Sequence, residues 1–123
     1  MVIEVRQEDD VCILRVEGRL AAGEDPEYLS ARTEEMKQLS RGRVLIDLRD
    51  MSYVGSTGIG FVVGLFTTVT MNSGKFVLVG MQPRVQELFR LTRLNTIIPS
   101  APDMPSALAL LQAGSSRAAD TRS

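Results

Sequence analysis

Histidine and tryptophan are absent from this sequence, cysteine occurs once, and aromatic residues make up only 5% of the chain. Each shortage removes a class of chemistry. Without histidine there is no Ser-His or Cys-His catalysis and no histidine-bearing zinc site. With Cys12 alone, no intrachain disulfide or cysteine metal cluster can form. Cys12 stands between Val11 and Ile13 in an apolar stretch and reads as a buried structural thiol. Arg15 by itself is weak support for a reactive thiolate. No surplus of positive charge exists either: the net charge of −1 argues against nucleic acid, which asks for a basic patch. No basic-then-apolar segment opens the chain, so no signal peptide is visible. The longest uncharged run, Met51–Gly74, could span a bilayer in length, but it carries five Gly and seven Ser or Thr. Its apolar residues are also periodic rather than all round, which argues against a membrane span.

What is present fits one domain of 123 residues, large enough to bury a core. Val2–Arg6 and Val11–Glu17 read as strands joined at Glu8-Asp9-Asp10, a hairpin pattern. After a loop over Gly23–Pro26, Asp25 suits a helix N-cap and Pro26 the first helical position. Tyr28, Leu29, Met36 and Leu39 partly follow helical spacing up to Ser40. Val44, Leu45, Ile46 and Leu48 form a short apolar strand. Phe76–Val79 form another, uninterrupted enough to be covered on both faces. Val85, Leu88, Phe89 and Leu91 mark a helix, and Ala107, Leu108, Leu110 and Leu111 a last one. The domain is expected over residues 1–113. The segment after it, 114–123, lacks apolar periodicity and is expected to be a disordered tail.

The richest stretch runs from Val44 to Gly60: a strand, a short loop with Asp47 as a strand-end residue and Asp50 as a loop residue, then Ser56-Thr57-Gly58 opening a helix. Ile59, Val62, Val63, Phe66 and Val69 recur at helical spacing on one face. Asn72-Ser73-Gly74 supplies the stop. Ser56 is placed to be the N-cap. A hydroxyl there can cap the helix, act as a nucleophile, or accept a phosphate. A nucleophile needs a base, and nothing nearby in sequence offers one. The chain also lacks a phosphate-cradling Gly-rich loop, so ATP would belong to a partner. If Ile59, Val62 and Phe66 face inward, then Thr57, Phe61, Gly64 and Thr68 face outward. Phe61 then stands on a solvent face beside the hydroxyls, with Gly60 and Gly64 allowing a partner to approach closely.

The Gly55-Ser56-Thr57-Gly58-Ile59-Gly60 step resembles the central motif of the STAS family, the small domains of bacterial anti-sigma factor antagonists. In that family the first Ser of an Asp-Ser-Ser/Thr-Gly-Leu/Ile-Gly step is phosphorylated by a partner kinase. Val11–Leu20 looks like the family's second strand. Lys75–Gly80 followed by Gln82–Leu91 looks like its last strand and third helix. The Leu94–Ile98 step and the helix after Asp103 look like its C-terminal end, so roughly residues 1–112 match in order. Two positions depart: Gly55 stands where the family has an acidic residue, and Ala21 where it has Asp after Gly-Glu-Leu. In the family both acidic positions lie near the phosphorylation site.

The resemblance implies a single α/β domain with a mixed four- to five-stranded sheet and helices mainly on one face. It further implies a cytoplasmic, non-enzymatic interaction switch without cofactor or metal, binding an anti-sigma factor that is a serine protein kinase and so freeing a sigma factor. Ser56 is the expected phosphorylation site, with Thr57 as the alternative. Gly55, Ser56, Thr57, Gly58, Gly60, Phe61 and Gly64 form the expected partner-binding surface. The oligomeric state, monomer or weak dimer, stays open. The second reading is a non-phosphorylated scaffold or accessory subunit of a sensing complex or lipid-transport system. The cytoplasmic tail of an anion transporter is disfavoured, because the chain starts at Met1 with no membrane domain attached.

Overall fold

The computed structural model describes residues 1–20 and 25–112; the loop position Ala21 and the tail after residue 113 lie outside the described residues. The chain opens with a hairpin. Strand β1 (Val2–Glu8) pairs antiparallel with β2 (Val11–Leu20), and Asp9 turns the chain at φ 55°. Both strands run beyond their expected ends at Arg6 and Glu17. Helix α1 (Pro26–Leu39) starts as the sequence indicates: the Glu27 amide donates to Asp25 Oδ1 at 3.0 Å, with Pro26 in the first position. Strand β3 (Arg43–Val54), helix α2 (Ser56–Met71), β4 (Lys75–Val79) and α3 (Pro83–Leu91) follow. A single 3-10 turn over Leu94–Thr96, a two-residue strand β5 (Ser100–Ala101) and a helix α4 over residues 104–112 complete the described chain.

The five strands form one sheet in the order β1-β2-β3-β4-β5, parallel everywhere except in the opening hairpin. Three helices cover one face. Leu29 and Met36 of α1, Val62, Leu65 and Val69 of α2, and Val85 and Phe89 of α3 bury against Leu14, Val16, Ile46, Leu48 and Leu78. The opposite face receives α4, where Ala107 and Leu111 meet Ile13, Leu45, Val77 and Val79. The near-continuous apolar run of β4 is explained by this double cover. Cys12 is fully buried, with Sγ 4.0 Å from the Met36 carbonyl oxygen, and burial pushes its thiol up to about 11. It is a packing residue.

Strand β3 differs in extent from its sequence reading. The strand expected to stop near Leu48 continues to Val54, so the anticipated loop is strand and Asp50 lies on it. The reason lies in the pairing. The register between β2 and β3 shifts between Arg15 and Glu17 and again between Gly18 and Arg19, where Gly18 adopts φ 99°. Such bulges break the period of two that a sequence reading relies on. Across these strands Arg15 reaches Glu4 on β1, Glu17 on β2 and Asp50 on β3, at 3.2, 2.9 and 2.7 Å.

Asp47 also differs from expectation: it is buried within β3 rather than at a strand end. Its carboxylate accepts from the Arg49 amide (3.1 Å), Nε (2.9 Å) and guanidinium (2.8 Å). A Cβ on Gly80 would collide with the Arg49 side chain, so that glycine, at φ 67°, leaves Arg49 its place. Burial pushes the Asp47 carboxyl up, but the Arg49 bonds outweigh it and hold it below the ordinary carboxylate range. Its stabilisation is therefore complete above the unfolded value of about 4 and is lost as pH falls through the lower folded value. Asp47→Asn is expected to cost about 1–2 kcal/mol at pH 7, with the gap to wild type closing below about pH 4 in urea melts. A gap constant from pH 7 to pH 3 would show that the carboxylate charge contributes nothing.

The two glycines of the first turns of α2 separate cleanly. A Cβ at Gly58 would lie 2.5 Å from both the Leu20 carbonyl oxygen and Val54 Cγ2, whereas one at Gly60 meets nothing within 4 Å. Alanine recovers about 1 kcal/mol of helix propensity, but overpacking against backbone costs about 1–3 kcal/mol. Gly60→Ala is expected to stabilise by about 0.5–1 kcal/mol and Gly58→Ala to destabilise by about 1–2 kcal/mol. Equal shifts of the urea midpoint in the two variants would refute this seating of α2.

Candidate partner-docking site at the start of helix α2

Strand β3 delivers the chain to Gly55, whose amide donates to the Leu20 carbonyl at 2.8 Å. Gly55 is the N-cap of α2, at φ −106° and ψ −169°, and its own carbonyl accepts from the Ile59 amide at 2.9 Å. No side chain caps this end. Ser56 is therefore the first helical residue and not the cap that the sequence suggested. The correction has a simple cause: the extended cap conformation falls on the residue before it, where glycine contributes no acceptor. Ser56 and Thr57 are both exposed, and no acidic residue occupies the first turn. The amides of that turn lack intrahelical acceptors, and the positive end of the helix dipole lies there.

The rotation of α2 differs from the expected one. Its buried stripe is Gly58, Val62, Leu65 and Val69. Leu65 was not assigned inward by sequence, and Ile59 and Phe66 are only half-buried, Phe66 standing edge-on to Phe76 at 5.5 Å. Phe61 is half-buried and packed against the core instead of projecting to solvent. A helix apolar on most sides gives a weak signal of which stripe points in. The close contact at Gly58 decides it. Gly58 is thus a packing residue, which corrects its expected place in the partner surface.

The remaining expected residues do come together. Thr57, Gly60 and Gly64 form one exposed stripe at helical spacing, with Ser56 at its head and half-buried Gly55 before it; Thr67 and Met71, not singled out by sequence, extend the stripe, while Thr68, expected outward, is half-buried. At Gly60 and Gly64 the stripe presents bare backbone, with nothing within 4 Å of where a Cβ would stand. Sequence reasoning missed two neighbours of this end. Tyr53, at the close of β3, carries the Arg19 guanidinium over its ring at 4.4 Å. Leu91, counted with the core face of α3, is 64% exposed, and only Val85 and Phe89 of that helix are buried. The Gly58 contact and the Arg19–Tyr53 pair both join distant segments, so no local periodicity reveals them.

The backbone at Gly55 is extended and open to any L-residue. An aspartate there would accept from first-turn amides and restrict the unfolded chain. Gly55→Asp is expected to raise stability by about 0.5–1 kcal/mol in thermal melts; destabilisation would place an unseen constraint at the cap.

A model of the STAS domain family matches residues 2–107. The anti-sigma-B factor antagonist of Listeria monocytogenes is 37% identical over 98 residues, spanning 78% of this chain and 84% of that protein. The antagonist of the same name from Staphylococcus aureus is 28% identical over 96 residues, spanning 78% and 88%. A STAS domain protein of Planctomyces limnophilus superposes with a TM-score of 0.78 at 25% identity, over 89% of this chain and 97% of that one. With most of its length matched by the family model and by relatives of similar size, the chain belongs to the STAS domain family.

Proposed function

We propose that this chain is an anti-sigma factor antagonist: a binding protein, not an enzyme, that works in the cytoplasm as a phosphorylation-controlled switch. The observation that carries the reading is the exposed Ser56-Thr57 pair heading the bare Gly60–Gly64 stripe, in a chain 37% identical to an anti-sigma-B factor antagonist. No helix among the described residues is long and apolar enough to cross a membrane.

Unmodified, the stripe lies against an anti-sigma factor that is also a serine kinase, and its sigma factor is released. The kinase holds ATP. Its γ-phosphoryl passes to Ser56 Oγ, the hydroxyl proton leaves, and ADP departs. The new phosphate carries about −1.5 to −2 charges at pH 7. Within the antagonist that charge meets uncapped first-turn amides and the positive end of the helix dipole, so the fold tolerates it. Within the complex the same charge is desolvated at a contact built for small uncharged groups, and affinity falls. Gly55 contributes on both sides. It lacks a carboxylate to orient the hydroxyl, and equally one to repel the phosphate.

Incubation with the serine-kinase anti-sigma factor of the same genome and ATP is expected to place phosphate on Ser56, with Thr57 the alternative, by mass-spectrometric mapping. The modified protein should bind that kinase at least about tenfold more weakly while melting no lower than the unmodified form. Binding without phosphate on either residue would remove the switch. It would leave the second reading, a scaffold or accessory STAS subunit, which the missing carboxylate at Gly55 favours.

A further inference from the structure

Most arginines of the described sheet and of α3 are committed to carboxylates: Arg6 to Glu8, Arg15 to three, Arg43 to Asp10, Arg49 to Asp47, and Arg90 to Glu87. Two near the start of α2 are not. Arg19, at the end of β2, stacks on Tyr53, and Arg84 stands exposed in the first turn of α3; neither has an acidic partner among the described residues. Between β3 and α3 runs a cleft of about 270 Å³, floored by Tyr53, Val54, Val85, Leu88 and Leu91, with Arg84 at its rim. Among the described residues Glu87 is the one carboxylate lining it, and Arg90 already occupies that group, with Nε at 3.1 Å. The cleft thus pairs an apolar floor with positive charge that no carboxylate among the described residues pairs. It is also continuous with the switch, since Tyr53 and Val54 immediately precede Gly55.

The geometry points to a second docking contact for the anti-sigma factor: a segment carrying a large apolar side chain beside Asp or Glu residues. The apolar group fills the cleft against Leu88 and Leu91, and the carboxylates meet Arg19 and Arg84. This rests on the anti-sigma factor antagonist reading and names the partner chemistry beside the phosphorylatable end. Arg19 is suited to the role because a guanidinium stacked on an aromatic ring keeps its N–H fork in the plane for a carboxylate. The apolar floor lowers the local dielectric, so each pair gains strength on closure. Steering by the two charges also makes association salt-dependent.

The test is titration calorimetry of the full chain with the purified serine-kinase anti-sigma factor, at two salt concentrations. Four variants are compared: Arg19→Glu/Arg84→Glu, Leu91→Ser, Gly60→Arg on the α2 stripe, and Leu108→Ser on the opposite face of the sheet. Melting curves check that each is folded. The double charge reversal is expected to weaken binding by about tenfold or more and to flatten its salt dependence. Leu91→Ser should weaken it by about three- to tenfold. Leu108→Ser should bind as wild type. If Gly60→Arg abolishes binding while both cleft variants bind as wild type, the partner sits on α2 alone and the cleft inference fails by itself. If the wild-type chain does not bind the anti-sigma factor, the antagonist reading fails and takes the cleft with it.

Discussion

The close seating of α2 at Gly58 is the contact on which the site depends. A side chain there has no room between the Leu20 carbonyl and Val54, so the helix backbone lies directly against the Leu20 carbonyl of β2 and the Val54 side chain of β3. That contact fixes the rotation of a helix whose own composition would permit several. Once Gly58 points at the sheet, Val62, Leu65 and Val69 follow it inward at helical spacing, and Thr57, Gly60 and Gly64 must point out. Phe61 falls to the side and becomes part of the core wall. The same junction is tied by the Gly55 amide donating to the Leu20 carbonyl, which joins the end of β2 to the turn between β3 and α2.

The sheet beneath divides its labour between its two faces. Three helices press on one, and α4 covers only part of the other. The uncovered part carries Asp47 with Arg49 and Arg15 with its three carboxylates, charge placed where no helix shields it. Exposed pairs of this kind are each worth little. Asp47 is the exception, since its carboxylate is buried and would be left costly without Arg49.

What could be read from sequence follows the range of the forces involved. The Asp25 cap, the Pro26 start, the Phe76–Val79 strand and the helix stop near Asn72-Ser73-Gly74 are set by neighbours a few residues apart, and all are found in place, with α2 ending at Met71. The continuation of β3 to Val54 is set by bulged pairing with β2, and the two-residue β5 by pairing with β4; neither leaves a period in its own residues. In the candidate site, the hydroxyls and the two outward glycines were legible because they lie on one helix within a few residues of each other. The inward turn of Gly58 and Phe61, and the company of Arg19, Tyr53, Arg84 and Leu91, depend on contacts between distant segments and were not.

The glycine cap changes what the Ser56 hydroxyl is free to do. Were Ser56 the N-cap, its oxygen would accept from the helix amides, and a kinase or partner would have to break that bond to reach it. With Gly55 taking the cap's backbone role and supplying no acceptor, Ser56 sits one place further in and the first-turn amides stay uncapped. An anion arriving at this end gains those amides instead of competing with a carboxylate for them. The loss of the acidic residue that the family resemblance leads one to expect at position 55 therefore leaves the end of α2 electrostatically open, and the hydroxyl that would carry the phosphate is the group nearest to that opening in the chain.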